Sequence, residues 1–197
     1  MHRTAFNRVL QTRRANMDAD RLYNAYLSGD PAALESLMEL YGDRLTLYIN
    51  GYVKNLHDAE DLLIEVFAYL VAKRPHIREN FNGYLYKAAR NQAFMFLRKQ
   101  KNQLLFSIKE PEFHFEDTFE NTVLENERNA QLYKCLDCLS PAQKEALYLV
   151  YIEGMSYKDA AKILHKTAKQ VDKLLQLGKK NMKPLLETEG IRSAFNE

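Results

Sequence analysis

No apolar run in this 197-residue chain approaches the roughly 20 residues a membrane-spanning helix needs; "ALYLVYI" at 146–152 is as long as they become. No charged stretch leads into a signal-type apolar core. Membrane insertion is therefore not expected, and the cytoplasm is the expected location. Cysteine is almost absent. Cys135 and Cys138 form the lone CxxC, a spacing that suits half a zinc site or a redox pair. With no second CxxC and no nearby histidine cluster to complete four ligands, neither a metal nor any other cofactor is expected. An alternating apolar and polar pattern of useful length is missing too, which argues against sheet. Glycine and proline are few, seven and five, and fall mostly between periodic segments, as helix punctuation should.

What is present is helical periodicity. Leu34, Leu37, Met38, Tyr41, Leu45 and Tyr48 recur at helical spacing, as do Leu62, Leu63, Val66, Phe67 and Leu70. A composition of 46% hydrophobic and 27% charged residues fits a globular chain long enough for two small cores. The fold expected is all-α, with two small helical domains joined by a flexible acidic linker.

The formal charge of +2 hides segregation. Residues 1–16 hold Arg3, Arg8, Arg13 and Arg14 with no acid, so 1–19 is set apart as a basic arm or an upstream translation start. A first domain is expected over 20–102, with breaks near Gly29-Asp30-Pro31, Asn55 to His57 and Arg74 to Asn82. In 103–127, Glu110, Glu112, Glu116, Asp117, Glu120, Glu125 and Glu127 face the single base Lys109, the composition of a self-repelling tether. The second domain is expected over 128–190.

That second domain is well punctuated. Ser140-Pro141-Ala142-Gln143 offers an N-cap, a proline at the first helical position and a capping-box partner. Ser156-Tyr157-Lys158-Asp159 and Thr167-Ala168-Lys169-Gln170 repeat the device, and Gly154 and Gly190 mark helix ends. Helices starting after Ser156 and Thr167 give the spacing of a helix-turn-helix. Ala160, Ala161, Ile163 and Leu164 would answer Val171, Leu174, Leu175 and Gly178, with His165 in the left-handed turn position. The outer face of the second helix, with Lys169, Gln170, Asp172, Lys173, Gln176 and Lys180, suits phosphates and base edges. A plain three-helix bundle would show the same spacing.

"YLYKAARNQAFMFLRKQK", 84–101, carries Lys87, Arg90, Arg98, Lys99 and Lys101 without an acid, interleaved with Tyr84, Tyr86, Phe94 and Phe96. Cations that follow phosphates and rings that stack on unpaired bases are what melted DNA requires. A core ring set with a solvated basic face is the alternative. The preceding helix opens with Asp58, Glu60, Asp61 and Glu65, which complement the helix dipole. Around exposed Ile64 they would equally make a protein-binding face.

In this order, "DAEDLLIEVFAYL", "FNGYLYKAARNQAFMFLRK" and "LSPAQKEALYLVYIEGMSYKDAAKIL" resemble the segments of extracytoplasmic function RNA polymerase sigma factors, of the sigma-70 superfamily, over about 20–186. The resemblance implies a non-enzymatic factor that binds core RNA polymerase and directs promoter recognition and melting. It implies that Asp58, Asp61, Ile64 and Glu65, with Phe67 packed beneath, dock on the polymerase clamp helices, Ile64 standing where the family usually has glutamine. Arg78, Asn80, Phe81, Tyr84, Lys87, Asn91 and Arg98 would serve the minus-10 non-template strand, holding a base flipped from the duplex. Tyr84 replaces a common family tryptophan. Lys169, Gln170, Asp172, Lys173, Gln176, Leu177 and Lys180 would face the minus-35 duplex, with Asp172 and Leu177 replacing residues that are often basic. An anti-sigma factor is a further expected partner. Two other readings stay open on the sequence: a polymerase-independent helix-turn-helix regulator, and a partial sigma-like subunit that needs a second protein.

Overall fold

The computed structural model describes residues 19–77, 80–103, 111–114 and 139–188, with the side chains of 101–103 and 185–188 excepted. The arginines of the basic arm, Arg78, most of the acidic segment, the Cys135 and Cys138 pair and Gly190 lie outside the described residues. The chain divides between Pro111 and Glu112 into two compact units. Among the described residues all regular structure is helical.

The first unit contains α1 (19–27), α2 (Pro31–Val53), α3 (Leu56–Lys73) and α4 (Phe81–Gln103). Each break has a local cause. Asp30 caps α2 by accepting from the Ala32 N–H at 3.0 Å, with Pro31 at the first helical position. Lys54 ends α2 in the left-handed region at φ 56°, and Asn55 then caps α3 through the Asp58 N–H at 3.1 Å. Arg74, at φ 41°, ends α3. Its guanidinium donates to the α1 carbonyls of Tyr26 and Leu27 at 3.0 and 3.2 Å, which satisfies acceptors that a helix end leaves open.

The helical stripes face one another. Ala33, Leu37, Tyr41, Leu45, Tyr48, Ile49 and Tyr52 of α2 are buried with Ala59, Leu62, Val66, Phe67 and Leu70 of α3 and Phe81, Leu85, Tyr86, Ala89 and Ala93 of α4. Rings fill much of the space. Tyr48 meets Tyr86 with centroids 5.0 Å apart, and Tyr52 meets Phe94 edge-on at 5.2 Å.

The start of α4 is built by α1. The Asp20 carboxylate accepts from the backbone N–H groups of Phe81 at 2.7 Å and Asn80 at 3.3 Å, placing a negative charge on the positive end of α4. One turn on, the buried Tyr23 ring stacks on Phe81 with centroids 4.4 Å apart, and its hydroxyl donates to the Pro75 carbonyl at 2.7 Å.

In the second unit α5 (Pro141–Leu147) runs on as a π-helical turn, Tyr148–Ile152, followed by α6 (Tyr157–Leu164) and α7 (Ala168–Thr188). All three expected caps form. Ser140 and Gln143 make a reciprocal capping box, and so do Thr167 and Gln170; Ser156 accepts from the Asp159 N–H at 3.1 Å. Phe113, inside the segment read as linker, is 1% exposed and packs against Tyr148 with centroids 5.6 Å apart. That ring is held to the second unit, so the acidic segment is not solvated along its whole length.

Replacing Asp20 with Ala should lower the stability of the α4 start by about 1–2 kcal/mol, the worth of a lost cap. Native-state hydrogen exchange in the full chain reads this as faster exchange in the first turn of α4; unchanged protection would contradict the cap. A second expectation concerns alkaline pH. Burial, then the neighbouring Tyr84 and Tyr26 hydroxyls, push the Tyr23 phenol up to about 12, with Arg74 offsetting part of the effect. The unfolded phenol ionises near its ordinary 10. The folded chain therefore holds a proton that the unfolded chain has lost, and this contribution to stability, complete below about 10, disappears as pH rises towards 12. Tyr23→Phe should flatten that part of the melting-temperature profile; an identical alkaline slope in both proteins would contradict it.

Candidate docking and nucleic-acid surfaces

Three surfaces carry the residues singled out above. On α3, Glu60, Asp61 and Glu65 are exposed and Asp58 is half-buried, while Leu62, Val66 and Phe67 turn inward. Ile64 is 61% exposed between Asp61 and Glu65. A single exposed apolar side chain is ordinary on a protein surface, and this one stands within a row of carboxylates. From α4 the Gln92 side-chain amide donates to Glu65 at 3.4 Å, which links the acidic face to the neighbouring helix.

The second surface begins where α4 does. Asn80 takes φ 61° and its Oδ1 accepts from the Gly83 N–H at 3.0 Å. A Cβ on Gly83 would come within 2.5 Å of the Asn80 amide nitrogen, so glycine is what lets this capping side chain lie there. The expected place of Phe81 on the DNA-facing surface is corrected. Its ring is 1% exposed, stacked on Tyr23 and edge-on to Tyr41 with centroids 6.2 Å apart, so it supports the surface from below. Tyr84 is half-buried one turn later. Burial first, and then nearby Tyr69, hold its phenol above the ordinary value.

Lys87, Asn91 and Arg98 are exposed, and with Tyr84 they recur at helical intervals that share one side of α4. Other members of the basic aromatic set turn inward. Tyr86 is in the core, and Arg90 lies with its guanidinium 4.2 Å above the Phe94 ring while its Nε donates to the Tyr52 hydroxyl at 3.2 Å. Exposed Tyr69, on α3, was not singled out from the sequence, because its partner Tyr84 belongs to another helix.

The third surface is the helix-turn-helix. Three residues, 165–167, separate α6 from α7, and His165 takes φ 52° with its N–H on the Ala161 carbonyl. Ala160, Ala161, Ile163 and Leu164 of α6 and Val171 and Leu175 of α7 are buried and Leu174 is half-buried, whereas buried Gly178 faces Leu139 and, on α5, Gln143 and Leu147. Lys169, Gln170, Lys173, Gln176 and Lys180 are exposed, and Leu177 is 41% exposed. Asp172 is half-buried, and its carboxylate accepts from the Gln176 side-chain amide at 3.0 Å.

Tyr157, at the first position of α6, hydrogen-bonds to Tyr151 of the π-helical turn and faces Asp172. Its phenol is pushed up by burial first, then by Tyr151, then by the Asp172 charge. Lys179 places its ammonium 4.9 Å from the centre of the Tyr151 ring. This aromatic edge is not legible in the sequence, since a π-helical turn has no simple residue signature. Among the described residues no group of three or more acidic, histidine or cysteine side chains is placed to hold a metal, and no helix is long and apolar enough to cross a membrane.

Comparisons with known proteins match both units. A model of sigma-70 region 2 matches residues 37–103, and one of sigma-70 region 4 matches 129–182, together more than half of the chain. The chain is 25% identical over 156 residues to the RNA polymerase sigma factor SigZ of Bacillus subtilis (strain 168), spanning 78% of this chain and 87% of that one. It is 23% identical over 154 residues to the ECF RNA polymerase sigma factor SigM of the same strain, spanning 77% and 94%. In fold it is similar to the sigma factor RpoE of Bartonella quintana, crystallised with the anti-sigma factor NepR, at a TM-score of 0.57 and 22% identity over 78% of this chain and 96% of that one. The acidic α3, the basic α4 and the helix-turn-helix thus stand in the order of regions 2 and 4, and the chain belongs to the sigma-70 family, in its extracytoplasmic function group.

Proposed function

We propose that this chain is an alternative sigma factor that binds core RNA polymerase and directs promoter recognition and melting, with its three surfaces dividing the work. The observation that carries the reading is the joining, in one chain, of a region-2 unit bearing the ring of Tyr84 on the basic side of α4 and a region-4 helix-turn-helix. A regulator that worked without polymerase would have no use for the first unit.

Asp58, Asp61, Ile64 and Glu65 are assigned to polymerase docking, with Phe67 supporting them from the core. Ile64 exchanges a polar contact usual in the family for an apolar one, which desolvation in an interface would favour. Tyr84, Lys87, Asn91 and Arg98 are assigned to the minus-10 strand, with Asn80 and Phe81 fixing the start of the helix that carries them. A flipped base costs a few kcal/mol of lost stacking, and the Tyr84 ring offers a replacement. Lys169, Gln170, Lys173, Gln176, Leu177 and Lys180 are assigned to the minus-35 duplex.

Sigma factors are transcription initiation factors, not catalysts. In keeping with this we assign the chain no reaction of its own and no cofactor, and place it in the cytoplasm with the polymerase. An anti-sigma factor is a further proposed partner, by likeness to the complex of RpoE with NepR.

Tyr84→Ala should leave closed-complex binding near that of the wild type. Strand opening, read as permanganate reactivity of unpaired thymines, should fall about five- to a hundredfold, matching a stacking loss of about 1–3 kcal/mol. Tyr84→Phe should keep most of the opening. Equal losses in both steps would contradict the stacking role. Ile64→Glu should weaken core binding by about tenfold or more, as loss of a central apolar contact does. An unchanged affinity for core would remove Ile64 from the docking surface.

A further inference from the structure

Asp172 is half-buried on the side of α7 where a positive side chain would attract DNA, and a carboxylate facing phosphates is unfavourable. The hydrogen bond it makes offers an explanation. A glutamine amide is nearly symmetric in shape but not in chemistry, and about its last torsion it turns freely between two orientations that exchange oxygen for nitrogen. Asp172, an acceptor without a donor when ionised, can bond only the nitrogen end of Gln176, and does so at 3.0 Å. The reversed amide would set two oxygens against each other.

From this geometry we propose that Asp172 is a positioning residue that locks the Gln176 side chain in one orientation, so that Gln176 reads a single base, adenine, in the minus-35 duplex. The inference rests on the minus-35 assignment of α7 and deepens it. With one amide hydrogen on Asp172, Gln176 keeps one N–H and its carbonyl oxygen for the groove. Adenine presents a matching pair, the N7 acceptor and the N6 amino donor; guanine presents two acceptors and so opposes the locked oxygen. Gln170 is placed differently. Its Oε1 accepts from the Thr167 N–H at 2.8 Å as half of the capping box, so its carbonyl serves the helix start. An exposed bond between residues four apart on a helix adds little to stability, so its role lies in orientation.

The test uses full-length protein with core polymerase and a promoter library randomised across the minus-35 element, with run-off transcripts sequenced. Gln176→Ala should erase an adenine preference at one position. Asp172→Ala should reduce discrimination at that same position by about fivefold or more, the scale of one bidentate contact, without altering the others. The double variant should match Gln176→Ala, because a positioning residue has nothing left to position. Asp172→Asn, which can offer the glutamine either an acceptor or a donor, should fall between wild type and Asp172→Ala.

If Asp172→Ala alters a position that Gln176→Ala leaves untouched, Asp172 reads a base itself and the proposal is overturned. Unchanged preferences in Asp172→Ala overturn it equally. If wild-type protein yields no promoter-directed transcripts, the minus-35 assignment fails first and the proposal falls with it. Both side chains lie on the outer side of α7, and matched melting temperatures of the variants separate lost reading from lost fold.

Discussion

The basic aromatic helix is placed by one arrangement: the Asp20 carboxylate on the first N–H groups of α4, with the Tyr23 ring stacked on Phe81 directly above it. A helix start has orphan donors and a positive end, and a buried ring needs a flat neighbour. One turn of α1 meets both requirements. It fixes where α4 begins and how it is rotated, and so which of its residues face outward. Tyr84 is presented half-exposed because Phe81, three residues earlier, is pinned in the core. Gly83 belongs to the same arrangement, as the residue that leaves room for Asn80 to cap the turn.

Charge is arranged around that frame. The exposed acids of α3 flank an apolar side chain, and the exposed bases of α4 flank a ring, so the first unit carries an acidic face and a basic one, the faces proposed above for polymerase and for DNA. On α7 the outer side mixes lysines with an acid and an apolar residue. Asp172 and Leu177 occupy outer positions, and Asp172 is tied to Gln176. Fewer cations mean fewer counterions released and less nonspecific attraction, so α7 would contribute selectivity more than affinity. A factor held at the promoter by polymerase can accept that exchange, since the affinity is supplied by the assembly.

The features legible in the sequence are those set by neighbours in the chain. All three capping signals in the second unit form as read, His165 takes the left-handed turn position, and the inward residues of α6 with Val171 and Leu175 are buried as their spacing indicated, while Gly178 meets Leu139, Gln143 and Leu147 instead. Each depends on residues within a few positions of one another. The misreadings came from contacts between distant segments. Tyr86 is a core ring, although beside bases in sequence it resembled a stacking platform, and Phe81, which the family resemblance would turn towards DNA, is a core ring as well. Arg90 is drawn in by Phe94 and by Tyr52, 38 positions away. Asp20 is 61 positions from the N–H it caps, and no local pattern connects the two. Phe113 resembled linker because its neighbours are acidic, but its own ring is buried. Local rules thus located the surfaces, and long-range packing decided which side chains reach them.

The central claim is that both units serve one act, the opening of a promoter by polymerase. It is tested most directly by adding the purified chain to sigma-free core polymerase and looking for run-off transcripts that start at one defined site on a promoter library. The account predicts such transcripts from this chain and core alone, dependent on both minus-10 and minus-35 sequences. Failure to bind core, or tight binding to core with no transcript from any promoter, would contradict it.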